Sequence, residues 1–188
     1  MAENPGLVRR RLLMRWPVVF AILAVLLLAA CSITRGSGQI GNESRQVGGF
    51  SKVELNGSGE LTIEQTGTES LTISAEDNLL PKLSSEVSGD TLVLRQESNA
   101  KIIPSQPIKY SVTVKDLTGV AVSGSGRYQA EQLTSKTVKV DISGSGVASV
   151  RASDVLDIQM SGSGTLTYTG DPKQVTQQVS GSGKVIKK

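Results

Sequence analysis

A Gly-Ser-Gly triplet recurs along this chain, and its spacing limits the possible folds more than any other feature does. The triplet begins at residues 36, 57, 124, 144, 162 and 181, so successive copies are 21, 67, 20, 18 and 19 residues apart. The long interval is close to three of the short ones. A fixed period near 20 residues predicts a stacked repeat architecture, in which each repeat adds one structural unit.

Apolar residues keep a constant position on both sides of the triplet. They alternate with polar residues, as in the stretch VKVDI at 138–142, and this alternation is the period of a β-strand. Each unit is therefore predicted to be a strand, a Gly-Ser-Gly corner, a second strand and a polar turn. The aligned apolar columns are Val53, Val120, Val140 and Ile158, then Leu55, Val122, Ile142, Met160 and Val179, and then Leu61, Tyr128, Ala148, Leu166 and Val185.

The same alternation predicts the direction of the corner residues. Inward glycines would let the chain bend without a side chain crowding a narrow interior, while the serines between them would face outward. A flexible Gly/Ser linker explains a single copy but not a set that keeps register with apolar columns. The predicted corner glycines are Gly57, Gly59, Gly124, Gly126, Gly144, Gly146, Gly162, Gly164, Gly181 and Gly183. The predicted outer serine ladder is Ser125, Ser145, Ser163 and Ser182.

The first half of the chain is less regular than the second. Its alternating segments predict strands at 60–65, 70–75, 91–96 and 108–115. Residues 78–87 could form a short helix or an outward loop, because Pro81 limits any helix to a turn or two. Residues 101–107 contain two prolines and are predicted to be a loop.

The N-terminus has the features of an export signal. Four arginines at positions 9, 10, 11 and 15 precede an uncharged apolar run from Trp16 to Ala30, which suits a signal-peptide core better than a membrane span. The segment from Leu28 to Cys31 resembles a bacterial lipobox, in which the cysteine is lipidated and becomes the new N-terminus. An uncleaved anchor is the alternative, because the uncharged run continues to Thr34. Both interpretations place the rest of the chain outside the cytoplasm.

We therefore expect a signal peptide at 1–30, a short tether at 31–35 and a repeat domain at 36–188. The expected location is the cell envelope, with a membrane anchor through lipid on Cys31.

Composition excludes several classes of function. Beyond residue 30 the chain carries sixteen basic and sixteen acidic residues, so the pI of about 9.1 comes from the N-terminus and gives no support for nucleic-acid binding. The chain has no histidine and only one cysteine, which excludes an internal disulfide and a His/Cys zinc site. Aromatic residues are too few for a stacking platform. We expect no cofactor and no metal.

The stretch FSKVELNGSGELTIEQTGTESLTISAEDNLL at 50–80, together with the later Ser-Gly-Ser-Gly units, resembles the putative auto-transporter adhesin head GIN domain family. The resemblance covers about residues 36–188. It implies an all-β fold, a single-stranded right-handed β-helix of about 20-residue coils, and adhesion as the role. It implies no catalytic or binding residue.

Candidate sites of chemistry are weak. Thr62 stands where a dinucleotide-binding fingerprint needs its third glycine, and the corners carry no aspartate for a calcium-binding roll. Asp141 and Asp157 could form an acidic pair, but Lys139 aligns with Asp157, and a solvated charge ladder explains all three. The corner serines lack a histidine for a catalytic triad. Arg127 and Tyr128 are interpreted as packing residues.

These observations predict a non-catalytic, lipid-anchored protein with a structural or adhesive role, binding a surface protein or a polysaccharide. One alternative is an envelope sensor or assembly subunit that binds a protein partner. Another is a polysaccharide-acting enzyme. Three or more acids or bases in one groove would favour the enzyme, a flat Ser/Thr face would favour adhesion, and an uncapped apolar end would favour assembly.

Overall fold

The structure is a computed structural model that describes residues 33–98, 100–132 and 136–188, without the side chains of 130–132. The predicted signal peptide and the lipidation site at Cys31 lie outside the described residues. Within this part of the chain no helix is long and apolar enough to cross a membrane.

The described residues form seventeen strands and one 3-10 turn at Leu80–Lys82. The first nine strands are β1 (Ile33–Arg35), β2 (Ile40–Arg45), β3 (Lys52–Asn56), β4 (Glu60–Gln65), β5 (Ser70–Glu76), β6 (Leu83–Ser88), β7 (Thr91–Gln96), β8 (Lys101–Ile103) and β9 (Lys109–Val114). The remaining eight, which belong to the regular repeats, are β10 (Gly119–Gly124), β11 (Arg127–Gln132), β12 (Thr137–Gly144), β13 (Val147–Arg151), β14 (Val155–Gly162), β15 (Thr165–Thr169), β16 (Gln174–Gly181) and β17 (Lys184–Lys187).

Each Ser-Gly-Ser-Gly unit contributes one strand to each of two sheets, as the repeat period predicts. The first strands of successive units pair in parallel, so that Val122 lies beside Ile142 and Ile142 beside Met160. The second strands do the same, with Tyr128 beside Ala148. The aligned apolar columns are therefore neighbours along the stack, and this part of the prediction is confirmed.

The two sheets enclose one apolar core. The seven-stranded sheet has the order β16-β14-β12-β10-β3-β7-β6, and the eight-stranded sheet has the order β17-β15-β13-β11-β4-β9-β5-β2. Buried residues of both sheets belong to a single hydrophobic cluster. Within it Tyr128 is fully buried beside the small Ala148, and burial raises the pKa of the Tyr128 hydroxyl well above its ordinary value.

The prediction of a single-stranded right-handed β-helix is wrong. The chain forms two mixed sheets in a β-sandwich-like arrangement, together with a separate two-stranded sheet of β1 and β8. Strands β2, β5 and β6 run antiparallel to their neighbours. The physical reason lies in the turns that lack the triplet: between β6 and β7 only Gly89 and Asp90 intervene, and Gly89 has φ 62°, which suits a tight hairpin that reverses the chain.

The first half of the chain confirms most predicted strands and corrects the rest. Segments 60–65, 70–75, 91–96 and 108–115 form or contain β4, β5, β7 and β9. Residues 78–87 form the 3-10 turn and most of β6, and the segment predicted as a loop at 101–107 begins with β8. The triplet at Gly36 lies between β1 and β2 and is not a corner of the stack, since β2 is antiparallel to β5.

The two ends of the stack differ. At one end β2 and β6 are the outer strands of the two sheets, and at the other β16 and β17 are. In the last unit Gln177 occupies the position beside buried Ile158, and Lys187 occupies the position beside Tyr168. Polar residues thus replace apolar ones where the core meets solvent, although Val179 stays 44% exposed.

Candidate functional site

The outward-facing side chains of both sheets form rows that cross the strands. Because the strands of the repeat units pair in parallel and in register, equivalent residues lie side by side, about 4.8 Å apart. A chain with polar residues at every second position of each strand therefore displays polar rows. These rows are the main candidates for a binding surface.

A groove with a volume of about 600 Å³ lies on the outer face of the seven-stranded sheet. We call it the serine groove. Ala121 lies in the same row as Glu54 and Asp141 and is flanked by them, so the smallest side chain of the row leaves a depression there. The residues whose outward side chains line the groove are Glu54, Ala121, Asp141, Gln159, Gln178, Ser123, Ser143, Ser161 and Ser180.

The serine groove is negatively charged and rich in hydrogen-bonding groups. Its two charged lining residues are Glu54 and Asp141. The Asn56 side-chain amide donates a 2.7 Å hydrogen bond to Glu54 Oε1, and Lys139 Nζ lies 3.5 Å from Asp141 Oδ2. Asp141 and Lys139 are both about half exposed, so this pair is screened by water and contributes little to stability.

The polar side chains of the serine groove are suited to forming hydrogen bonds with a ligand. Glu54 and Asp141 are two strands apart, or roughly 9.6 Å at the usual strand spacing, and each already has a polar partner. The chain has no histidine to activate a serine. In the part of the chain that the structure describes, no group of three or more His, Cys, Asp or Glu side chains could hold a metal ion. Serine hydroxyls and glutamine amides can both donate and accept hydrogen bonds.

A second polar row crosses the whole eight-stranded sheet on its outer face. Hydroxyl residues occupy six of its eight positions, and Ser44 Oγ lies 3.5 Å from Thr72 Oγ1. From the last strand to the first, the row is Ile186, Thr167, Ser149, Gln129, Thr62, Ser111, Thr72 and Ser44. This Ser/Thr face is the feature that the sequence analysis associated with adhesion.

The structure places the four serines of the predicted outer ladder at the corners between the sheets. Ser125, Ser145, Ser163 and Ser182 are all exposed. Their backbones stack: the N–H of Ser145 donates to Gly124 O at 3.0 Å, and that of Ser163 donates to Gly144 O at 2.9 Å. These serines do not line the serine groove, whose serines are the first of each Ser-Gly-Ser-Gly.

The two glycines of each corner meet different surroundings. The first, as in Gly144, has φ near +100°, and an added Cβ would lie 2.7 Å from Gly124 O. The second, as in Gly146, is buried, and its Cβ would lie 3.0 Å from Val122 Cγ1. The first glycines are Gly57, Gly124, Gly144, Gly162 and Gly181, all with positive φ.

The other charged residues singled out from the sequence form surface pairs. Lys139 is in register with Asp157, as predicted, although its ion pair is with Asp141 on its own strand. Arg127 is exposed and lies 3.7 Å from Glu60, whereas Tyr128 packs in the core. The sequence analysis did not identify the serine groove, although the position of each first serine in the strand alternation carried the signal.

Glu76 is the one charged residue that is buried in the described part of the chain, at 1% exposure. Its carboxylate accepts hydrogen bonds from the N–H groups of Gly38, at 2.7 Å, and Ser105, at 2.9 Å, and from the Ser105 hydroxyl. The Ser105 hydroxyl is the main cause that holds the pKa of this carboxyl below its ordinary value. Gly36 has no room for a side chain, since a Cβ would overlap the carboxylate. Glu76 thus connects three segments and is not open to a ligand.

Several known proteins that are similar to the chain are described as putative adhesins or cell adhesion proteins. Residues 49–185 match the family model described as "putative auto-transporter adhesin, head GIN domain". A putative cell adhesion protein from Clostridium sporogenes has a similar structure with 15% identity and a TM-score of 0.52, covering 80% of this chain and 100% of that one. A putative adhesin from Parabacteroides merdae has 16% identity and a TM-score of 0.48, covering 83% and 99%. No curated protein matches the sequence.

Proposed function

Because the chain belongs to the family of the putative auto-transporter adhesin, head GIN domain, we propose that it is a non-catalytic adhesive protein of the cell envelope that binds its ligand in the serine groove. The observation that carries the proposal is the pair of in-register rows in that groove. One row consists of Ser123, Ser143, Ser161 and Ser180, and the other ends with Gln159 and Gln178. A ladder of identical groups suits a ligand that is itself a repeating chain.

The chemistry of the rows favours a neutral polysaccharide or one that carries amide groups. Serine hydroxyls and glutamine amides complement sugar hydroxyls and acetamido groups. Glu54 and Asp141 disfavour an anionic polymer, because like charges repel across a binding surface. The corner serines Ser125 and Ser145, which are exposed, would extend the contact beyond the groove.

The contacts available in the groove are individually weak. Its lining contains no aromatic side chain, and hydrogen bonds to exposed groups replace bonds to water, with a net gain of only about 0.5–1.5 kcal/mol each. Weak sites become effective when many copies act together, since linked binding can exceed the single-site affinity by about 10²–10⁴. Display of many copies on a membrane would provide this.

We propose that the display depends on a lipid anchor. Residues 1–30 would act as the signal peptide, and Cys31, at the end of Leu-Ala-Ala-Cys, would carry the lipid. The repeat domain would then face the outside of the membrane as part of the cell envelope, with no nucleic acid as a partner.

The test uses beads that carry many copies of the protein and three immobilised polymers: dextran, chitin oligosaccharides and hyaluronan. We expect retention on dextran or chitin oligosaccharides, and less on anionic hyaluronan. Ala121→Arg would fill the depression between Glu54 and Asp141 and abolish retention. Thr68→Arg adds the same side chain to an exposed position in the turn between β4 and β5, outside both polar rows. It is the matched control and should keep the retention of the wild type.

The two variants separate the groove from the rest of the surface. Both should keep the circular dichroism spectrum and unfolding midpoint of the wild type, because substitutions of outward-facing surface residues usually change stability by less than about 0.5 kcal/mol. Equal retention of Ala121→Arg and wild type on every polymer would contradict the groove as the site. Preferred binding to hyaluronan would contradict the ligand class.

A further inference from the structure

The exposed face of the two-stranded sheet combines apolar and cationic side chains. Strands β1 and β8 pair in parallel, with Ile33 beside Lys101 and Arg35 beside Ile103. Paired residues of a parallel ladder point to the same side of a sheet, so these four side chains share one face. We call this face, formed by Ile33, Arg35, Lys101 and Ile103, the N-terminal patch.

From this arrangement we infer that the N-terminal patch is a membrane-contact surface for anionic phospholipid. Ile33 is 54% exposed and Ile103 is 46% exposed, and both cationic residues are exposed as well. On the opposite side of the same strands Ile102 packs against the core. Isoleucines that face solvent beside cations are suited to the bilayer interface, where apolar groups enter the acyl boundary and cations meet lipid phosphates.

The charge of the N-terminal patch is complementary to such a membrane. Its four side chains carry two positive charges and no acid. Two carboxylates next to the connections of these strands have hydrogen-bond partners: Glu76 is buried and accepts hydrogen bonds from Ser105, and Asp77 accepts one from the Ser37 hydroxyl. Basic residues close to an anionic leaflet are attracted by its negative surface potential.

The N-terminal patch is fixed to the body of the domain. The N–H of Gly36 donates to Ile103 O at 3.0 Å, and the Asn78 side-chain amide donates to Arg35 O at 2.7 Å. Glu76 holds Gly38 and Ser105, which follow the two strands of the patch. A membrane that contacts this face would therefore orient the whole described domain.

The position of the N-terminal patch in the chain favours a lipid bilayer as its binding partner. Cys31 precedes Ile33 by two residues, which span at most about 7 Å when fully extended. The inference thus rests on the proposed lipid anchor, which would hold the patch at the membrane surface. The strands β16 and β17 would then point away, with seven strand intervals of about 4.8 Å, or roughly 34 Å, separating β17 from β2.

A tryptophan scan of the full-length lipoprotein in vesicles tests this orientation. The only tryptophan, Trp16, precedes Cys31, so a processed protein has none. Ile103→Trp adds a probe to the patch, and Ile186→Trp adds one to β17. The two positions are matched in exposure, because Ile103 is 46% exposed and Ile186 is 45% exposed. In vesicles with brominated acyl chains and 30% phosphatidylglycerol, we expect quenching and a blue shift for Ile103→Trp and neither for Ile186→Trp.

A charge-reversal variant and a second tryptophan position in the patch complete the experiment. Adding Arg35→Glu and Lys101→Glu to the Ile103→Trp protein should remove most of the quenching while the protein stays bound to the vesicles. Ile33→Trp replaces Ile103→Trp if that variant loses its circular dichroism spectrum. Equal quenching of the probes at 103 and 186, or none at 33 and 103, overturns the patch.

Mass spectrometry of the same samples tests the anchor separately. Lipidated protein without quenching refutes the patch alone. Protein without lipid refutes the anchor, and mixing it with the same vesicles then shows whether the patch binds anionic lipid unaided.

Discussion

At the scale of single residues, one triplet uses glycine for two different physical reasons. The first glycine of each corner adopts a positive φ, which side chains disfavour. The second has ordinary backbone angles but lies against side chains of the core, as Gly146 does against Val122. The serine between them is exposed. The sequence analysis assigned both glycines to the interior; the positive φ of the first could not be read from alternation.

Gly144→Ala tests the role of the first glycine. The new Cβ would lie 2.7 Å from Gly124 O at a φ of +100°, so the backbone of a neighbouring unit must move. We expect a loss of about 1–3 kcal/mol in the free energy of unfolding, measured by urea denaturation. Ser145→Ala at the adjacent exposed position is the control and should stay within about 0.5 kcal/mol of wild type. Equal losses in the two variants would refute this account of the corner.

At the scale of strands, the repeat units could be predicted and the remaining connections could not. The columns through Val122 and Tyr128 define parallel neighbours because register follows from repetition. Strands β2, β5 and β6 do not belong to the repeat, so repetition does not predict their partners. Their alternation of apolar and polar residues fits parallel and antiparallel pairing equally well. The two-residue turn at Gly89 and Asp90 was the available signal for antiparallel pairing. Missing it led to the wrong fold class.

The serine groove could likewise be predicted from the sequence only in part. The alternation of the strands predicts that the serines face outward. The groove, however, depends on the small side chain of Ala121 between two larger neighbours in its row. Ala121 stands beside Glu54 only because β10 pairs with β3, across the 67-residue interval between triplets. That long-range pairing, and with it the depression between two carboxylates, needed the structure. The Ser/Thr row on the other sheet likewise depends on the antiparallel pairing of β5 with β9.

The last two strands, β16 and β17, carry polar residues that should prevent self-association through the exposed end of the stack. Gln177 and Lys187 occupy core-facing positions beside Ile158 and Tyr168, and Lys187 Nζ lies 2.9 Å from Asp171 Oδ1. Replacing both by valine would continue the apolar face to an edge whose strands have no further partner. We expect concentration-dependent self-association in sedimentation velocity experiments.

The matched control changes the outer face of the same two strands. Gln178→Val with Lys184→Val removes one amide and one charge, as the test pair does, but at positions that point away from the core. We expect this variant to remain much less associated than the Gln177→Val, Lys187→Val variant. Equal association of the two would mean that added hydrophobicity alone, and not completion of the core, drives assembly.

At the scale of the whole molecule, the two surfaces that we propose as binding sites lie toward different ends of the described domain. The N-terminal patch on β1 and β8 is connected through Glu76 to the end of β5, beside the outer strand β2. The serine groove is formed largely by β10, β12, β14 and β16, toward the opposite end of the seven-stranded sheet. An adhesive protein needs its ligand site away from its own membrane. The order of strands in the two sheets satisfies this need if the chain is anchored where we propose.

Cys31→Ser tests the anchor on which this arrangement depends. Two or more acyl chains, at about 0.8 kcal/mol per buried methylene, hold a protein on a bilayer far more firmly than one chain does. The wild-type protein should therefore begin at Cys31, carry a lipid mass and stay with membranes through high-salt washing. Cys31→Ser should retain residues 1–30 without added lipid. Ser32→Ala, which keeps the cysteine, should begin at Cys31 and carry the same lipid as the wild type, with an intact mass lower only by the lost hydroxyl oxygen. A wild-type protein that begins at Met1 and carries no lipid would instead support the uncleaved anchor.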